Sequence, residues 1–150
     1  MLDTAFADLR TLAEALLALA LGGAVGWERQ TKRKGAGFRT MMLVSFASFL
    51  FVRVSLIAGE MGATGSSDPV RAIQAVATAL GFVGAGIVYR DRAEGRARGI
   101  TTAAAMLAVA PVGIAVALGR PVLAVGATLL LVAVLGPADW IERRFGPPRT

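Results

Sequence analysis

Five apolar runs divide the chain, at about residues 9–27, 40–58, 69–89, 100–118 and 121–140, with short polar stretches between them. A helix that crosses a bilayer needs roughly 17–25 mostly apolar residues, and each of these runs falls within that range. The pattern predicts an all-α fold: one polytopic transmembrane helical bundle of five spans, filling residues 1–150 as a single domain. The opening decapeptide, MLDTAFADLR, lacks the positive start of a signal peptide, so the first run is expected to stay in the mature protein.

The polar stretches differ in charge. Between the first two runs, Arg29, Lys32, Arg33, Lys34 and Arg39 stand against Glu28. Between the third and fourth, Arg90, Arg92, Arg96 and Arg98 stand against Asp91 and Glu94. The second stretch, GEMGATGSSDP, carries Glu60 and Asp68 and no lysine or arginine. Counting the tail, twelve of the sixteen basic residues fall on one side of the proposed membrane. Basic loops are retained in the cytoplasm, so the expected topology is N-out and C-in. Trp27 and Trp140 fall where interfacial anchors belong.

Other signals are local. Asp68-Pro69 reads as a helix start on the outer side, with Asp68 as N-cap and Pro69 in the first turn. Pro111 lies inside the fourth run, where it removes a hydrogen bond and crowds the carbonyl of Leu107, so a kink is expected. Gly119-Arg120-Pro121 reads as a tight outer turn.

Composition narrows the chemistry. The chain is 55% hydrophobic, carries a net charge of +6, and has no cysteine or histidine. Disulfides, thiolate and imidazole metal sites, and histidine acid–base catalysis are therefore excluded. The basic residues sit in short loops beside apolar runs, which marks topology rather than nucleic-acid binding. No cofactor is expected. An ion site would be built from oxygen atoms, which suits a hard cation such as Mg²⁺.

Two sets of residues stand out. Glu14, Ala18, Gly22 and Gly26 recur every fourth position of the first run, and small residues at that spacing let a neighbouring helix come close. Arg53 shares a face of the second run with Ser45 and Phe49. At ~1.5 Å per residue, Glu14 and Arg53 both lie roughly 7–8 Å below the outer surface, which makes them a candidate intramembrane pair. The alternative is that Arg53 snorkels to water.

The second set gathers at the cytoplasmic end: Gly26, Glu28, Arg39, Thr40, Gly81, Gly84, Gly86, Thr101 and Thr102. Two readings stand. One is a cation or proton site made from a carboxylate, hydroxyls and exposed carbonyls. The other is structural, with Glu28 neutralising Arg39, threonines capping a helix and glycines permitting packing. Spacing alone favours the second. The third run also carries a polar face (Gln74, Thr78) and a small-residue face (Ala77, Gly81, Ala85) suited to close helix packing. Its GFVGAG lies inside a hydrophobic helix, not between a strand and a helix, so it is not a nucleotide loop.

GGAVGWER at 22–29, AGFRT at 36–40 with Leu43-Val44, DPVR at 68–71, GFVGAG at 81–86 and GITTAA at 99–104 occur in order. Together they resemble the signature of the MgtC/SapB family of bacterial membrane proteins. The matching positions include those of the cytoplasmic set and Asp68. Met41 stands where a histidine is common, and Leu107 and Pro111 interrupt a fourth helix that is usually alanine-rich. The resemblance covers a transmembrane domain without the soluble C-terminal domain that many members carry.

That resemblance implies a multi-pass bacterial inner-membrane protein linked to growth at low magnesium and, in pathogens, to survival inside macrophages. For some members it implies restraint of the membrane ATP synthase rather than magnesium transport. The expected function is therefore a non-enzymatic regulator of a membrane partner, such as an ATP synthase subunit or a transporter, with homo-oligomerisation left open. The alternative is a Mg²⁺ or proton-coupled transporter or channel component, supported by Glu14, Glu28, Arg53 and the glycine-broken third helix. No nucleophile–base pair with an orienting group points to an enzyme.

Overall fold

The computed structural model describes residues 2–60, 68–90 and 97–136. These form five helices: α1 (Leu2–Thr31), α2 (Phe38–Glu60), α3 (Pro69–Ile87), α4 (Ile100–Ala117) and α5 (Pro121–Leu135). Four are long and apolar enough to cross a membrane, and α5, at 15 residues, is shorter. Between α3 and α4 the chain forms a two-residue antiparallel ladder, β1 (Tyr89–Arg90) with β2 (Ala97–Arg98).

The boundaries correct the hydropathy reading at several ends. Helix α1 starts at Leu2 rather than near residue 9, because no glycine or proline interrupts the chain before Gly22. Helix α2 extends two residues past the expected span at each end. Helix α3 stops at Ile87 rather than Tyr89, because Val88 turns extended and leads Tyr89 into the ladder. Helix α5 stops at Leu135, where Gly136-Pro137 forms a stop signal. Trp140, the tail, most of the second loop and the middle of the third lie outside the described residues.

Local chemistry sets the turns. After α1, Arg33 N–H donates to Gln30 O and Lys34 N–H to Arg29 O, both at 3.0 Å, with Arg33 at φ 53°. This is a Schellman stop with a non-glycine residue in the left-handed region. The same motif ends α4: Gly119 N–H donates to Val116 O and Arg120 N–H to Ala115 O. Asp68 caps α3, its Oδ1 accepting from Val70 N–H at 3.0 Å.

Helix α4 forms the centre and packs against each of the other four helices. Val109, Val112, Val116 and most of its second half are buried. The helix continues through Pro111, which faces outward, so the hydrogen bond that proline removes does not interrupt the core. Helix α2 lies in close contact with both α1 and α4. A Cβ at Gly113 would sit 1.9 Å from Ser45 O, and one at Gly22 2.6 Å from Met41 O. Only glycine permits either approach. Ser45 Oγ fastens the α1 side by donating to Ala18 O at 2.8 Å.

Candidate functional site

Antiparallel packing brings the end of α1, the start of α2, the start of α4 and the end of α5 together at one basic end of the bundle. At its centre is Arg29, whose side chain is 2% exposed. It donates from Nε to Ala36 O at 3.0 Å and from Nη2 to Thr102 Oγ1 at 2.7 Å. A buried guanidinium is costly unless its donors are occupied, and these bonds hold the α1–α2 turn against the start of α4.

Beside it, Lys32 Nζ lies 2.8 Å from Glu28 Oε1. Its aligned hydrogen bonds go instead to the carbonyls of Gly136 at 2.8 Å and Leu135 at 3.1 Å. The buried Glu28 oxygen therefore receives the ammonium's charge without a directed hydrogen bond. Lys32 thus joins the ends of α1 and α5, where the unsatisfied carbonyls of a helix attract a cation.

The other sequence-predicted residues divide. Gly26 packs on α2, where a Cβ would lie 2.6 Å from Phe38 Cα, and Gly84 packs against Ala103. Thr40 is half-buried at the start of α2. Arg39 and Thr101 are exposed, and a Cβ at Gly81 or Gly86 would meet nothing within 4 Å. Glu28 faces Lys32 and not Arg39. The expected packing face Ala77, Gly81 and Ala85 is exposed along with Gln74 and Thr78. Helix α3 instead meets the bundle through Val76, Leu80 and Gly84. The donor set here fits a resident Mg²⁺ poorly, because the Glu28 carboxylate is held by Lys32 and the Thr102 hydroxyl by Arg29. Among the described residues no group of three acidic side chains could hold a metal ion.

At the opposite end, Arg53 Nη2 donates to Glu14 Oε2, and its Nη1 reaches Ala117 O at 3.4 Å. Arg10 Nε approaches the other Glu14 oxygen at 3.1 Å. The structure thus brings Glu14 and Arg53 together. A cavity of about 860 Å³ adjoins the pair, lined in part by Asp8, Arg10, Arg53 and Glu60.

This constellation can be compared with known proteins. A family model described as the MgtC family matches residues 15–144. The chain belongs to the MgtC family. It is 36% identical over 143 residues to an uncharacterized protein of Haemophilus influenzae, covering 90% of this chain and 60% of that protein. It is 35% identical over 117 residues to Protein MgtC of Brucella abortus, covering 78% of this chain and 46% of that protein. Protein MgtC of Salmonella typhimurium is 32% identical over 117 residues, with 78% and 47% covered. The chain thus spans between 46% and 60% of the length of these curated relatives. No solved structure matches it.

In this MgtC-family membrane protein, sequence reasoning missed the two cations that organise the basic end. Arg29 and Lys32 read as ordinary loop charges. A signal for Arg29 was present: Ala18, Gly22, Val25 and Arg29 follow one helical stripe, and all four are buried. Nothing in the sequence ties Lys32 to carbonyls more than a hundred residues away.

Proposed function

We propose that this MgtC-family protein is a non-enzymatic protein of the bacterial inner membrane that supports adaptation to low magnesium by regulating a membrane partner. An ATP synthase subunit or a transporter is the expected partner. The observation that carries this reading is the open face of α3. Gln74, Thr78, Gly81 and Ala85 share one exposed stripe, and a Cβ at Gly81 would touch nothing within 4 Å. Small residues give lipid little to pack against but let a second helix approach closely, and a glutamine facing lipid is costly. A partner helix would use both properties. The test is gentle purification from the native membrane, comparing the natural protein with Gly81→Leu/Ala85→Leu at equal abundance. An ATP synthase subunit or transporter should accompany the natural protein and be lost from the variant. Recovery of the same companion with both proteins would overturn this use of α3.

One observation favours a second reading, a transporter or channel component. The Glu14–Arg53 pair lies beneath a charged cavity, and ionisable groups at membrane depth commonly line pathways. Ion flux in proteoliposomes, lost in Arg53→Met, would support that reading. A regulator gives no flux.

A further inference from the structure

At the basic end, the α1–α2 turn and the first turn of α2 border an open cleft of about 500 Å³, lined in part by Arg33, Lys34, Gly35, Arg39 and Thr40. No acidic residue lines it, and α2 has none in its first turn. Arg33 and Arg39 are exposed and make no ion pair among the described residues. In the first α2 turn the Phe38 N–H donates to Gln30 Oε1 at 3.2 Å, while the N–H groups of Arg39 and Thr40 have no intrahelical acceptor. The cleft is therefore a cationic, donor-rich concavity, complementary to a phosphate group.

A second cavity, of about 300 Å³, lies between α2 and α3. Leu43, Val44, Ala47 and Phe51 line it from α2, and Val76 and Leu80 from α3. Its lining is almost wholly apolar, because the Ser48 hydroxyl is spent on Val44 O at 2.8 Å. Thr40 lines both cavities. It heads the α2 stripe Thr40, Val44, Ala47 and Phe51, so the apolar groove begins where the basic cleft ends and runs along the helix.

A phosphate-binding cleft that continues into an apolar groove along a membrane helix has the division of a phospholipid: a charged head, then a hydrocarbon chain. A free phosphate would account for the cleft and leave the groove unexplained. A neutral lipid would account for the groove and leave Arg33 and Arg39 unexplained. We infer that the cleft and the groove together form a binding site for one anionic phospholipid, its phosphate against Arg33 and Arg39 and one acyl chain between α2 and α3. Basic pockets between membrane helices are suited to such headgroups. This inference is independent of the partner proposed for α3, since the groove uses Val76 and Leu80 rather than the open Gln74–Ala85 stripe.

The test uses the full chain, purified in detergent and stripped of lipid, with native mass spectrometry and thermal unfolding as readouts. The probes are phosphatidylglycerol, phosphatidylcholine and inorganic phosphate. One phosphatidylglycerol should be retained per chain and should raise the unfolding temperature, while phosphatidylcholine and inorganic phosphate should do neither. At roughly fivefold for each basic group near the headgroup, Arg33→Gln/Arg39→Gln should weaken phosphatidylglycerol binding on the order of 30-fold. Filling the groove with Ala47→Phe, at an exposed position, should weaken it with the charges intact. Arg120→Gln, at the opposite end, should leave it unchanged. Equal retention of the two lipids, or binding that survives both variants, would overturn the site. Stabilisation by inorganic phosphate that is indifferent to Ala47→Phe would reassign the cleft to a free anion.

Discussion

Arg29 Nη2 donates a 2.7 Å hydrogen bond to Thr102 Oγ1 across 73 positions of chain, joining the last turn of α1 to the first turn of α4. Both groups are buried. Thr102→Val keeps the side-chain shape but removes the acceptor, which should cost about 1.5–3 kcal/mol because the donor is charged. Thr102→Ser should retain most of the stability. Reversible unfolding in detergent reads the difference, and equal losses from the two variants would mean that the methyl group matters rather than the hydroxyl.

The Glu14–Arg53 pair should behave as a coupled unit. Its side chains are 18% and 22% exposed, so removing one partner should cost about 1–3 kcal/mol, less than for a fully buried pair. Arg53→Met and Glu14→Gln should each lower stability, and the double variant should recover much of the loss. Strictly additive losses would show that the contact contributes nothing. Arg10, largely exposed, should matter little.

Two glycines make opposite predictions. Gly113→Ala places a methyl group against the Ser45 carbonyl and must push α2 from α4, at a cost of about 1–3 kcal/mol or more. Gly81→Ala meets open space and should stabilise the isolated protein by roughly 0.5–1 kcal/mol through helix propensity. Comparable unfolding temperatures for the two variants would contradict the α2–α4 contact.

Charge removal at the basic end should separate structure from function. Lys32→Met removes the nearest counter-charge of the Glu28 carboxylate and opens the α5 carbonyls, which should cost about 1–3 kcal/mol. Arg39→Gln, exposed and without an ion pair among the described residues, should change stability by less than about 0.5 kcal/mol. If Arg39→Gln and Glu28→Gln still impair growth at low magnesium at normal abundance, the basic end acts in function. Normal growth of both would leave these two charges without a role in adaptation to low magnesium.

Orientation is open to direct measurement because the chain has no cysteine. With the basic end in the cytoplasm, Glu60→Cys should react with an impermeant thiol reagent in intact cells with an opened outer membrane. Thr31→Cys and Ala97→Cys, exposed at the basic end, should react only after the inner membrane is broken. The reverse pattern would invert the topology.

Much of the architecture was legible because it depends on neighbours along the chain. Apolar run length located the helices, Asp68-Pro69 marked the start of α3, and Gly119 marked the turn after α4. The boundaries were less legible. Helix α1 continues through residues too polar for a hydropathy reading, since hydrogen bonding rather than apolarity sustains it. The end of α3 depends on pairing with Ala97–Arg98, which periodicity within one helix does not reveal.

The sequence by itself determined an all-helical membrane bundle, the clustering of basic residues at one end, and the equal depth of Glu14 and Arg53. Each follows from helix rise, segment length or local charge. Only the tertiary structure decided which charges are buried and what they touch. Arg29 and Arg33 are equally charged and close in sequence, yet one is sealed beneath Thr102 and the other lines an open cleft. The same holds for Gly84 and Gly81 on α3, one packed against Ala103 and one facing open space. A residue's type sets the cost of burial, but the acceptors that offset that cost come from distant helices. Only their packing brings those acceptors within reach.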